Sequence, residues 1–313
     1  MAAAVATTQV PLALHGLTKE PPQIPRRRDV LTNINYYKDP GDGSLPMPIV
    51  IADNTVKNER PHIPQQTIIH DVTGEEDQYT LDNHGFQFLR HESATKTLQD
   101  FQDEEHVKAE YYPESIRLLK EVTGASRIFL FDHKTRCGPS HWHKLGKGNR
   151  SSRGPLFRAH VDQSYAGAEF VLRRWFPDEA DELLKRRYQI INIWRPIRPV
   201  LKDPFGVADG SSIPDADLVG ASIIYPADRD RDETWTILPP RRAGTGTGMG
   251  MPAHHRWYYK HAQRPDEVLL VKCFDSDERV PARRAPHSAF EDREYEDREA
   301  RESIEARALV FYD

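Results

Sequence analysis

Apolar residues gather in short runs that crowd into the second half of the chain, separated by turn-forming residues. In YQIINIWRPI (188–197), Ile190, Asn192 and Trp194 alternate with Ile191, Ile193 and Arg195, a period of two that predicts a strand with two distinct faces. SRIFLFDH (126–133), ASIIYP (221–226), ETWTILP (233–239), RWYYK (256–260), EVLLVKCFDS (267–276) and SIEARALVFY (303–312) are further apolar runs of strand length. Helical spacing is rarer. Ile116, Leu118, Leu119 and Val122 fall near it within 104–124, and Gly124 supplies a C-terminal stop. PDEADELLKRR (177–187) places Pro177 and acidic residues where a helix N-terminus favours them.

Many short strands with few helices between them argue for a mainly β fold with flanking helices, a jelly roll, over an alternating βαβ fold. Residues 1–30, with Arg26, Arg27 and Arg28 in succession, read as an irregular leader, and 31–313 as one domain with a helical and strand extension at its start. Residues 201–220 read as loop. The glycine-rich run GTGTGMGMP (244–252) lacks the strand before it and the helix after it that a phosphate cradle requires, so a mobile loop or lid over the barrel mouth is expected there.

Charge and cysteine content narrow the classes. Lys and Arg number 43 against 48 Asp and Glu, with no long basic stripe, which argues against a nucleic-acid partner. Cys137 and Cys273 are too few for a disulfide framework, the first 22 residues lack a signal-peptide pattern, and no apolar run is long enough to span a bilayer. A cytoplasmic protein that meets a small molecule and no membrane is expected.

The candidate chemistry begins in LFRAHVDQSYAGAEF (156–170), where His160 and Asp162 stand two positions apart and share a face if the chain is extended. Two histidines and one carboxylate on one side of a metal leave the opposite positions open, the donor set of non-heme iron. For the third ligand the candidates are His254, His255, His261 and His287. His287, in RRAPHSAF, has the small and apolar surroundings that suit a fixed ligand. Fourteen residues later Arg301 and Ser303 open the last strand, where a guanidinium fork and a hydroxyl suit the far carboxylate of a dicarboxylate co-substrate. Arg307, on the same strand face, is the second candidate for that anchor. Tyr165, Asn192, Trp194 and Arg195 are candidates to meet substrate, each with a plain packing role as the competing reading. Cys137, His141 and His143 offer a zinc set without the paired spacing of a structural site.

In NHGFQF (83–88), FDH (131–133) with Arg136, AHVDQS (159–164), NIWRP (192–196), DEVLLVKCFDS (266–276), PHSAF (286–290) and RESIEARALVF (301–311), the chain resembles the Fe(II)/2-oxoglutarate-dependent dioxygenases. Within these it resembles the fungal hydroxylase/desaturase family that includes gibberellin desaturase-like and AsaB-type enzymes. The resemblance covers roughly 30–313. It implies a double-stranded β-helix, with His160, Asp162 and His287 as ligands of Fe(II), Arg301 and Ser303 at 2-oxoglutarate, and O2 as the oxidant. Hydroxylation, desaturation or oxidative cyclisation of a secondary-metabolite or amino-acid-derived substrate by C–H abstraction would follow, with no catalytic group beyond the metal centre. The same ligands around zinc would serve a hydrolase, and without chemistry a cupin-like binding module.

Overall fold

The structure is a computed structural model that describes residues 27–225, 230–241 and 255–313. The glycine-rich run 244–252, His254 and nearly all of the 1–30 leader lie outside the described residues. In chain order the described strands are β1 (Val30–Tyr37), β2 (Ile49–Ile51), β3 (Val56–Lys57), β4 (His62–Asp71) and β5 (Phe86–Arg90). These are followed by β6 (Arg127–Arg136), β7 (His160–Val161), β8 (Tyr188–Pro196), β9 (Phe205–Ala208) and β10 (Leu218–Tyr225). The last are β11 (Asp230–Ile237), β12 (Trp257–Tyr259), β13 (Glu267–Asp275), β14 (His287–Ala289) and β15 (Ser303–Phe311).

They form two sheets, one ordered β5-β13-β8-β15-β6 and the other β1-β4-β12-β9-β14-β7-β11-β10-β2-β3. Neighbours in both run antiparallel except β2 with β10 and β4 with β12. The arrangement is a jelly roll, as the strand pattern implies. The alternation in β8 sorts its side chains between two cores. Ile191 and Ile193 turn outward to the helix Tyr112–Thr123, joining its Leu118 and Leu119 with Ile304, Ala306 and Val310 of β15. Trp194 turns inward to Phe205, Val207, Leu269 and Val271, in the space between the sheets. Leu119 is fully buried, and truncating such a leucine costs about 2–5 kcal/mol.

The anticipated helix over 104–124 forms as three consecutive pieces, the last of which, Tyr112–Thr123, ends at Gly124 with φ 69°. Elsewhere the structure corrects the sequence reading. The anticipated helix over 177–187 contracts to Ala180–Leu183, because Arg187 is drawn into a fork on the buried Asp275 at 3.2 and 2.8 Å and the chain turns into β8. A helix not anticipated, Tyr165–Trp175, starts three residues after Asp162, with the Ser164 hydroxyl accepting from the Gly167 amide at 2.9 Å as its N-cap. Within 201–220, read as loop, lies β9. Its four residues are buried on both faces, and such a strand shows no alternation to detect.

The turn at Asn83–Gly85 is placed by conformation. Gly85 has φ 82°, and a Cβ there would stand 3.0 Å from the Ala285 Cβ and 3.2 Å from the Arg284 carbonyl carbon. Its own carbonyl accepts from the Lys272 amide at 2.7 Å, at the edge of the site-bearing sheet. Gly85→Ala is expected to cost about 1–3 kcal/mol through left-handed strain and crowding. Thermal unfolding should show a midpoint lower by several degrees; an unchanged midpoint would show that the turn tolerates a Cβ.

Candidate metal centre

Two sheets contribute to one polar cluster between them. In the larger sheet β7 pairs antiparallel with β14, and His160 and His287 stand directly opposite each other in that pairing. Their ring centroids are 4.4 Å apart. Asp162, one residue beyond β7, brings Oδ1 to 3.4 Å from His160 Nε2 and 3.7 Å from His287 Nε2. One donor atom from each of the three residues lies within 4.8 Å of the other two. Among the described residues this is the group able to hold a metal ion; Cys137, His141 and His143 form no such group.

The backbone sets the imidazole tautomers. His160 Nδ1 donates to the Arg158 carbonyl at 2.8 Å and His287 Nδ1 donates to the Ala285 carbonyl at 3.2 Å. In its neutral form each ring therefore has its proton on Nδ1 and its lone pair on Nε2, the atom that faces the cluster. Burial, reinforced by the neighbouring His287, pushes the His160 pKa down and favours the neutral ring that ligates metals. For His287 burial pushes the same way, but the hydrogen bond and charge of Asp162 outweigh it and raise the pKa.

The smaller sheet fixes the carboxylate. Asp162 Oδ2 accepts from Asn192 Nδ2 of β8 at 2.8 Å and from Arg307 Nε of β15 at 2.9 Å, which leaves Oδ1 toward the histidines. Burial would raise the carboxyl pKa, yet the Arg307 charge and the two histidines hold it well below the ordinary carboxylate range. Arg307 also donates to Asp132 at 2.9 Å and to Glu305 at 2.7 Å. Its guanidinium is thus fully committed to three carboxylates.

Arg301, on the same side of the chain, has the opposite surroundings. It is buried and its Nη1 donates to the Asp203 carbonyl at 2.9 Å, but its Nε and the Ser303 hydroxyl are buried without a hydrogen-bond partner among the described residues. Burial, with the nearby Arg136 guanidinium, pushes the Arg301 pKa down to about 9. Arg301, Arg136, His160, His287 and Phe205 line one narrow pocket of about 10 Å³. The Phe205 ring stacks on His287, with centroids 5.3 Å apart.

The remaining sequence candidates divide. Asn192 holds Asp162, and Trp194 packs on Phe205 at 4.9 Å with the Arg301 guanidinium 5.5 Å from its ring. Tyr165 points away, donating to Asp215 at 3.1 Å. Arg195 is not brought to the site. It lies on the outward face of β8, where it donates to the carbonyls of His91 and Pro265 at 2.8 and 2.7 Å. His255 is tied to Asp217 and Tyr36 at 3.1 and 3.2 Å, away from the cluster. Asp132, Glu305 and Arg136 are neighbours of the cluster that the sequence reading did not select. For Glu305 a signal existed, because Arg301, Ser303, Glu305 and Arg307 follow one another at strand period.

The donor set fits Fe(II), with two imidazole nitrogens and a carboxylate oxygen on one side. The chemistry of the adjoining pocket fits an anionic end of 2-oxoglutarate, since the buried Arg301 that lines it keeps its Nε without a partner among the described residues, as does the buried Ser303 hydroxyl two residues along the strand. Filling the pocket requires the side chains that now narrow it to swing aside. A jelly roll with this cluster between its sheets defines a non-heme iron oxygenase.

A family model described as an oxidoreductase/YMDC permease-like domain matches residues 34–311. The hydroxylase/desaturase efuI of Hormonema carpetanum is 34% identical, with 91% of this chain and 95% of the relative covered. The alpha-ketoglutarate-dependent dioxygenase phiK of a fungal species is also 34% identical, over 89% of this chain and 95% of its own. Among solved structures, the iron and alpha-ketoglutarate-dependent endoperoxidase NvfI superposes with a TM-score of 0.76 at 27% identity, covering 91% of this chain and 98% of its own. The chain belongs to the fungal hydroxylase/desaturase family of Fe(II)/2-oxoglutarate-dependent dioxygenases. It is an oxidoreductase that uses Fe(II), 2-oxoglutarate and O2, which sets aside the hydrolase and the binding module.

The two arginines of the last strand should separate in stability measurements. Arg307→Leu leaves buried carboxylates uncompensated and is expected to cost about 3–5 kcal/mol in urea unfolding of the metal-free protein. Arg301→Leu removes a desolvated charge with an unsatisfied donor and should change stability by under about 1 kcal/mol. Equal losses would show that Arg301 is paired in solution.

Proposed function

We propose that His160, Asp162 and His287 hold the iron, that Arg301 and Ser303 receive the far carboxylate of 2-oxoglutarate, and that Arg307 and Asn192 position Asp162. The observation that carries this reading is the juxtaposition of the three convergent donors with the Arg301 Nε and the Ser303 hydroxyl, both buried without a partner among the described residues. Bound iron supplies the O2 activation that couples decarboxylation of 2-oxoglutarate to C–H abstraction from the substrate. The chain's own part is orientation and exclusion of water. Arg307 and Asn192 keep one carboxylate oxygen aimed at the histidines, and the carbonyls of Arg158 and Ala285 keep both Nε2 atoms available. Phe205 and Trp194 wall off the pocket beside them.

The substrate is read as a small secondary metabolite that undergoes hydroxylation, desaturation or oxidative cyclisation. The activities of the relatives, hydroxylase, desaturase and endoperoxidase, support that range. No described helix is long and apolar enough to cross a membrane. Together with the near-balanced charge and the free Cys137 and Cys273, this supports a cytoplasmic enzyme with a small-molecule partner.

Two measurements test the assignments. His160→Ala and Asp162→Ala should each lose iron binding in anaerobic titration while the circular dichroism spectrum is retained. A variant that still bound one iron and turned over 2-oxoglutarate at the wild-type rate would remove that residue from the ligand set. Arg301→Leu should weaken 2-oxoglutarate binding by about 10- to 100-fold through loss of a charge-assisted bond, with iron affinity nearly unchanged. If Arg307→Leu, refolded and metal-loaded, lost 2-oxoglutarate and Arg301→Leu did not, the two roles would be exchanged.

A further inference from the structure

A second cavity, of about 370 Å³, reaches the same cluster from the other side, meeting it at Asp162 and Arg307. Phe131, Phe170, Val171, Trp175 and Ile223 give it an apolar wall. Arg150, Arg153 and Arg174 also line it. Of these Arg150 donates to the Ala52 and Asp53 carbonyls at 3.1 and 3.4 Å. Arg174 has a partner of its own. Arg153 differs: among the described residues its guanidinium makes neither hydrogen bond nor ion pair, and its Nε is buried.

Like charges surround it. Burial, with Arg136, Arg307 and Arg150 nearby, pushes the Arg153 pKa down to about 10. The carboxylates lining the cavity offset this cluster only in part: Asp132 pulls the Arg153 pKa up, but less than burial and the arginines push it down. Asp162 belongs to the histidines, Asn192 and Arg307, and Asp132 is held by Arg307 and Lys134 at 2.9 and 3.1 Å. For Asp232, burial raises the carboxyl pKa to about 7, so much of it stays protonated near neutrality.

The loop that bears Arg153 is tied to its neighbour through the backbone. The Cys137 and Gly138 amides donate to the Arg153 carbonyl at 3.1 and 3.0 Å. A Cβ on Gly154 would meet the Pro139 and Gly138 carbonyl oxygens at 2.3 and 2.6 Å, so the two loop segments pack backbone on backbone. A desolvated cation without a partner among the described residues, in a cavity that also holds apolar side chains and Asp162, is suited to one end of an amphipathic anion.

We propose that the primary substrate is a largely apolar molecule bearing a carboxylate, and that Arg153 receives that carboxylate. This rests on the oxygenase reading of the adjacent cluster and adds the class of its substrate. Arg153 is a specificity-determining residue with no part in the iron ligation.

The test uses the full chain, loaded anaerobically with Fe(II) and 2-oxoglutarate, titrated calorimetrically with abietic, 2-naphthoic and decanoic acids and with the methyl ester of each. At least one acid should bind about 10- to 100-fold more tightly than its ester. Arg153→Gln should abolish that preference and Arg153→Lys should restore part of it. The loop's backbone bonds do not involve the side chain, so both variants should unfold at the wild-type temperature. If no acid outbinds its ester, or the preference survives Arg153→Gln, the proposal is overturned. It is equally overturned if Arg153→Gln weakens 2-oxoglutarate itself as much as the acids, because the anion at Arg153 is then the co-substrate. Failure of the oxygenase reading shows separately, as wild-type protein that binds 2-oxoglutarate no better with iron than without it.

Discussion

The ion pair between Asp162 and Arg307 is the contact on which the site depends. An ionised carboxylate between two packed sheets is costly unless charge and hydrogen bonds compensate it. Arg307 does so from the smaller sheet, Asn192 adds a second donor, and the carboxylate is left with one oxygen for the histidines of the larger sheet. The pair therefore ties the two sheets together at the same point where it aims a ligand. It also explains why Arg307 is surrounded by acids. A guanidinium with Asp132, Asp162 and Glu305 on its three edges cannot turn to another anion without leaving one of them buried and unpaired.

Arg301 and Arg307 show how one strand face can hold two cations with different fates. They lie six residues apart in a chain of period two, so both project between the sheets. Around Arg307 burial is outweighed by acids and the pKa rises; around Arg301 burial dominates, with Arg136 adding to it, and the pKa falls. A committed cation supports structure, whereas an uncompensated one stores an affinity for a negative ligand. That contrast cannot be read from Arg-x-Ser spacing, because it depends on Asp132 and Asp162, which are distant in sequence.

How much was legible follows from the same logic. Strands with one face to the helix layer and one between the sheets, such as β8 and β15, carry a period of two, and their side-chain sides were readable residue by residue. His287 was singled out by its small and apolar setting, and its position opposite His160 is a long-range pairing that no local pattern encodes. β9 was read as loop because burial on both faces erases alternation, although it is the strand that holds β14 in register. Asn192 was selected for substrate, yet its amide serves the carboxylate. Arg195 was selected with it, although the alternation in β8 already placed the two on opposite faces.

The two cavities that meet at this cluster impose different demands on the same arginine-rich interior. On one side the Arg301 Nε lacks a partner among the described residues in a pocket that is narrow as it stands; on the other Arg153 lacks one among them in a wider cleft that apolar side chains also line. The Arg136 charge acts in both environments, lowering the pKa of Arg301 and of Arg153 alike. An anion on either side therefore relieves repulsion that the other side also feels. Neutralising the first arginine lowers the cost of keeping the shared cation charged and slightly weakens the pull on an anion at the second. The electrostatic coupling between the two sides is antagonistic. Cooperative filling of both, where it occurs, has to come from side-chain movements and expelled water instead of from charge.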